Sequence, residues 1–231
     1  MKKIKNKILI SAKHLRHRAR PANVPRRFLH KDVPYFSQWA SRELNQKIYE
    51  REFKTEDDPR WKESGASTKE EYVAWSWNSC GMACLKMLLA HRDSSAPTLV
   101  ELGKKCAEYG GYTMPLEKSE GLIYAPFVKF VDKEFNLRGK VVSPMVAQDI
   151  IEQLGKSNYV IASVSPLIRQ PSSIPKIKGG HLVLMLGYDL DKQELYLHNP
   201  SGSLPEAQEY AAISLKDFDK FFGNRGIVIE T

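Results

Sequence analysis

Ten consecutive residues, Cys80-Gly81-Met82-Ala83-Cys84-Leu85-Lys86-Met87-Leu88-Leu89, carry a single charge, at Lys86. They read as a helix that is apolar almost all round, and such a helix sits inside a core rather than on a surface. The rest of the chain must therefore enclose it. Its 231 residues, 42% of them hydrophobic, are enough for one large domain or two small ones. The sequence before and shortly after this segment has helical spacing. Thr98 is placed to cap a helix whose Leu99, Leu102 and Cys106 share a face. Gly121 to Phe135 repeats apolar residues at helical intervals, and Ser143-Pro144 is a cap-and-proline start for a helix ending near Leu154. The character then changes. Tyr159–Val164, His181–Tyr188, Glu194–His198 and Arg225–Ile229 read as strands, with a proline-bearing loop over 166–178. Helices followed by strands predict an α+β fold, a helical half packed on an antiparallel sheet half.

The formal charge of +8 is unevenly spread. Residues 1–31 contain eleven Lys and Arg and no acid, which leaves 24 bases against 27 acids in the remainder. The sequence therefore divides into a basic N-terminal arm over 1–31 and a mildly acidic domain over 32–231. A folded surface of that sign argues against nucleic acid as a partner of the main domain. In the arm, Ile4, Ile8, Ala12 and Leu15 fall at helical spacing among the bases. This predicts a basic amphipathic helix or a partly ordered arm, the former suited to peripheral contact with an anionic membrane. No run of about 18 apolar residues predicts a membrane span. Ile8-Leu9-Ile10 is too short for the apolar core of a signal peptide. Three cysteines do not make a disulfide framework, so a reducing, cytoplasmic location is expected, with possible membrane-peripheral contact through the arm.

Cys80 falls at the predicted N-terminus of the apolar helix. A cysteine in such a place is most often a small buried hydrophobe. The chemical alternative is a thiolate stabilised by the helix dipole and free amides, with Gly81 leaving the sulfur open to a substrate. Cys84 and Cys106 read as core residues, and no second pair accompanies Cys80 and Cys84, so no metal is expected. No cofactor is called for. A thiol nucleophile needs a base, and the base needs an orienting partner. His181 opens an apolar strand after Gly179-Gly180, and Asn199 ends the next strand, eighteen residues on. If those strands form a hairpin, the two lie at the same end of the sheet. Taken singly, His181 could be a satisfied core histidine and Asn199-Pro200 an ordinary turn. His198 falls on the other face of its strand.

Val33-Pro34-Tyr35-Phe36-Ser37-Gln38, Cys80-Gly81-Met82-Ala83-Cys84-Leu85, Gly180-His181-Leu182-Val183 and His198-Asn199-Pro200 together resemble the papain-like cysteine peptidases related to the double-glycine, bacteriocin-processing peptidases. The similarity covers about residues 32–229. It implies a papain-like fold, with Cys80 as nucleophile, His181 as base and Asn199 as third member, where much of that family has aspartate. It also implies that Gln38 donates to the oxyanion. In the family that glutamine lies closer to the cysteine, so residues of about 41–74 read as an insertion, and Asn78 is the competitor for Gln38's role. No transporter sequence follows, so a stand-alone enzyme is expected. The implied activity is hydrolysis of a peptide or related acyl bond through a thioester. The alternatives are acyl transfer by the same triad or a non-catalytic binding protein on the same fold. Trp75, Trp77 and Tyr112 are candidates for an acyl pocket or for the core.

Overall fold

The computed structural model describes residues 2–19, 23–170 and 172–230. Helix α1 (Lys2–Ala19) is followed by β1 (Arg27–Leu29), α2 (Asn45–Tyr49), α3 (Lys69–Ser76), α4 (Cys80–Asp93), α5 (Leu99–Glu108), α6 (Tyr124–Phe135), β2 (Gly139–Val142), α7 (Ala147–Leu154), β3 (Tyr159–Val164), β4 (His181–Asp189), β5 (Glu194–His198), β6 (Ala211–Ser214), α8 (Leu215–Phe221) and β7 (Phe222–Ile229). The seven strands form one antiparallel sheet in the order β2-β7-β3-β4-β5-β6, with β1 paired to β4. The fold is α+β, as the element order predicts.

Both faces of the sheet are covered. Leu182, Leu184 and Leu186 of β4 join Met82, Leu85 and Phe127 in one core, while Val183 and Met185 join Ile150, Leu154 and Phe218 in the other. A strand buried on both faces is apolar without alternation, which is why residues 182–186 read as a continuous run. The apolar helix is α4, and it lies against β4 with Met82, Cys84, Leu85, Met87, Leu88 and Leu89 buried. Lys86, the one charge among residues 80–89, keeps its ammonium 4.5 Å above the Phe36 ring.

Two expectations need correction. The arm does not end at residue 31, because β1 lies within it and is built into the sheet: Arg27 is paired with Asp189 and Leu29 with Gly187. Ahead of β1, the Pro25 carbonyl accepts from the Tyr188 hydroxyl at 2.9 Å. The helix expected from Ser143 begins instead at Ala147, where the Asp149 carboxylate accepts from the Val146 amide at 2.9 Å and supplies the start signal. The segment read as an insertion is an ordered layer around buried Asp58, which accepts from the Ser41 hydroxyl at 2.6 Å and from the Tyr72 hydroxyl. That layer reaches the loop after β5: the Asn45 amide donates to the Gly202 carbonyl at 3.1 Å, and Arg42 Nε to Gln208 Oε1 at 2.9 Å. Among the described residues, no helix is long and apolar enough to cross a membrane.

Candidate active site

Cys80 is the first residue of α4 and is half-buried. The turn before it is fixed by Ser79, whose buried hydroxyl donates to the Trp75 carbonyl at 2.7 Å. Gly81, the next residue, packs beside the cleft. A Cβ there would stand 2.7 Å from Leu122 Cδ2 and 3.0 Å from Leu182 Cδ1. Those two leucines, with Cys80, His181, Tyr124 and Arg225, line a cleft of about 710 Å³, a size common for binding sites. Cys80 and His181 therefore open onto one cavity.

His181 stands at the first position of β4, after Gly179 and Gly180, both with positive φ. That turn delivers the imidazole at the end of the strand. Its Nε2 is 2.8 Å from Asn199 Oδ1 and 3.1 Å from Ser201 Oγ. The Ser201 backbone N–H donates to the same Asn199 Oδ1 at 3.2 Å, which identifies that atom as the acceptor. Nε2 of the neutral ring therefore carries the proton, and Nδ1 is left with a lone pair. The hairpin thus brings His181 and Asn199 together, as their spacing predicts. Asn199 is itself tied down by its N–H to the Gln208 carbonyl at 2.8 Å and by the Tyr35 hydroxyl on its own carbonyl at 2.9 Å.

Gln38 reaches the C-terminal end of α3, four residues before Cys80, despite the intervening layer. It is buried, its backbone N–H donates to the Pro200 carbonyl at 2.8 Å, and its side-chain Nε2 donates to the Ser76 carbonyl at 3.1 Å. Asn78, its competitor, points its amide back to the Ala74 carbonyl at 3.0 Å and lines a different cavity with Trp77. Trp75 and Tyr112 are core residues in edge contact with ring centroids 5.3 Å apart, not a lining of the Cys80 cleft. His198 is buried between Tyr35 and Tyr210, apart from the His181–Asn199 pair.

Two neighbours of the pair, Arg169 and Ser201, are absent from the sequence-based candidates. Arg169, only 7% exposed, donates through Nη2 to Ser201 Oγ at 2.6 Å and stacks its guanidinium 3.6 Å from the Tyr49 ring centroid. Among the described residues, its Nε and Nη1 find no hydrogen-bond partner. An isolated arginine in a proline-bearing loop gives no periodic signal. Ser201, two residues beyond Asn199, was in principle readable, because asparagine side chains commonly accept from the backbone two residues on.

The electrostatics correct one expectation. Burial raises the Cys80 thiol above its ordinary pKa, and this outweighs the pull of the Leu182, Gly81 and Cys80 amides and of Arg169. Burial, reinforced by Arg169, lowers His181 to about 3, with the Asn199 hydrogen bond opposing. The resting pair at neutral pH is thus a thiol and a neutral imidazole, rather than a preformed thiolate. Cys84 and Cys106 are buried with their thiols pushed up in the same sense, as core cysteines are expected to be. Among the described residues, no three His, Cys, Asp or Glu cluster to hold a metal ion.

The sequence model of the Peptidase_C39 like family matches residues 30–226. The chain belongs to this family. As a C39-like chain it has a peptidase-type fold and the coarse function that goes with it. The crystal structure of a C39-like protein from Bacillus anthracis is similar in fold, with 11% identity, a TM-score of 0.53, and coverage of 89% of this chain and 98% of that one. The peptidase domain of Streptococcus ComA, a bifunctional ABC transporter of a quorum-sensing pathway, matches at 14% identity and a TM-score of 0.46, covering 66% of this chain and 90% of that one. No curated protein matches the chain in sequence. The C39-like match begins at residue 30, one residue after β1, so α1 and β1 precede it.

Proposed function

We propose that this C39-like protein is a thiol hydrolase that cleaves a peptide or related acyl bond, with Cys80 as nucleophile, His181 as general base and acid, Asn199 as the residue that orients the imidazole, and Gln38 as an oxyanion donor. The observation that carries this reading is the fixed tautomer of His181. With Nε2 committed to Asn199 at 2.8 Å, Nδ1 is the nitrogen free to take a proton in the cleft that Cys80 shares. Because both groups rest neutral, proton transfer accompanies attack. As the sulfur–carbon bond forms, the Cys80 proton passes to Nδ1 and the carbonyl becomes an oxyanion. The Cys80 backbone N–H, free at a helix N-terminus, and the second hydrogen of the Gln38 amide are the donors for that oxyanion. The imidazolium then protonates the leaving amine as the carbon–nitrogen bond breaks, leaving a thioester. Water, deprotonated by Nδ1, attacks the thioester and releases the acid and the thiol.

The direct test is incubation of the protein with a mixture of unmodified peptides in H₂¹⁸O, read by mass spectrometry. New C-termini carrying ¹⁸O are expected. An unchanged mixture would overturn the hydrolase reading, and ligated products without ¹⁸O would replace it by acyl transfer.

Arg169 enters this scheme as a positioning residue. It anchors Ser201 against the imidazole, and its charge lowers both the Cys80 thiol and His181. Removing that charge therefore raises both. In Arg169→Met the midpoint of Cys80 alkylation against pH is expected to move upward. Arg169→Lys, which keeps the charge, should hold it near wild type. An unmoved midpoint in Arg169→Met would limit Arg169 to packing.

A further inference from the structure

Helix α1 is docked on the body through a face on which Lys13, His14 and His17 surround the partly buried Ile10. Lys13 Nζ reaches Asp149 Oδ2 at 2.7 Å and His17 Nε2 reaches Asp149 Oδ1 at 3.0 Å, both against the carboxylate that starts α7. Lys13, His14 and His17 are partly buried, whereas Ile8 is 63% and Leu15 68% exposed. On a helix turning 100° per residue, Ile8, Ala12 and Leu15 fall on one stripe, roughly 150° round the axis from Lys13 and His17. This reverses the usual order, in which a surface helix turns its apolar stripe inward and its charges outward. Exposed Lys7 and Arg16 flank the outward stripe, and the segment 1–31 contains no acid at all.

We propose that this outward face of α1 is a membrane-docking surface for anionic phospholipid headgroups, with Ile8 and Leu15 entering the headgroup–acyl boundary and the flanking bases meeting the phosphates. The uniform positive charge is what selects this occupant. A nucleic acid would use the bases and leave the apolar stripe idle, whereas an anionic interface uses both. Nothing in the proposal depends on the chemistry at Cys80.

The test is co-sedimentation of the full chain with vesicles of phosphatidylcholine alone and with 30% phosphatidylglycerol, at low and high salt. Binding to the anionic vesicles is expected to be at least about tenfold tighter than to the neutral ones and to weaken at high salt. The double variant Ile8→Ser/Leu15→Ser should lose about tenfold or more, and Lys7→Gln/Arg16→Gln should lose the preference for anionic lipid. Circular dichroism and thermal denaturation check that the variants stay folded, which is expected since all four side chains are exposed. Equal partitioning onto neutral and anionic vesicles would overturn the proposal. So would wild-type binding by Ile8→Ser/Leu15→Ser, since adhesion would then be purely electrostatic, and so would no vesicle binding at all, which would hand the face to a protein partner.

Discussion

Cys80→Ala is expected to abolish cleavage in the peptide mixture, with a loss of roughly 10³-fold or more, and to leave the thermal midpoint near that of wild type. Removing the nucleophile removes the thioester route altogether. What remains is whatever the oxyanion donors and binding supply to direct attack by water, and that residue is small in enzymes of this logic. Stability should be spared because the substitution removes one half-buried atom at the edge of the cleft, rather than filling or emptying the core. Initial rates across peptide products, with a melting curve of each protein, check both halves. Cleavage at the wild-type rate in Cys80→Ala would remove Cys80 from the mechanism.

Leu85→Ala should have the opposite signature, large in stability and small in chemistry. Leu85 is fully buried in α4, in the core shared with Leu182 and Leu184 of β4. Emptying such a site costs about 2–5 kcal/mol, because the surrounding side chains only partly collapse into the cavity. Domains are stable by only about 5–15 kcal/mol in total, and in a chain of this size each kcal/mol lowers the melting temperature by about 2–4 °C. A fall of about 4–20 °C is therefore expected in a thermal scan. The rate per folded molecule at low temperature should stay within a few-fold of wild type, because Cys80 heads the helix while Leu85 lies deeper in it. A change below about 1 kcal/mol would mean that the α4–β4 contact is not a principal support of the fold.

The same contact explains what could be read in the sequence. α4, β3, β4 and β5 were legible because each is heavily buried, and burial writes a continuous or periodic apolar run. β1, β2 and β6 were not, since they are strands of three or four residues with exposed positions among them. At that length, alternation has too few repeats to register. The start of α7 was misplaced because Ser143-Pro144 has cap-and-proline chemistry, while the structure uses Asp149. At the site, Cys80, His181 and Asn199 were legible through local signals: a helix start, a double glycine before a strand, a strand end before proline. The rest is tertiary. Gln38 reaches Ser76, at the end of α3, only because the layer around Asp58 folds the chain back, and Arg169 reaches Ser201 from another loop. The thiolate expected at a helix N-terminus was overridden by burial, which the sequence does not quantify.

The account rests on Cys80 forming a thioester with His181 as its base. The most direct measurement is peptide mapping of the wild-type protein and of His181→Ala after brief exposure to p-nitrophenyl acetate at neutral pH. An acetyl group is expected on Cys80 in wild type, ahead of Cys84 and Cys106, with the rate falling by about 10²-fold or more in His181→Ala. Acetylation of Cys80 at the same rate in both proteins, or no preference for Cys80 over the other two cysteines, would contradict it.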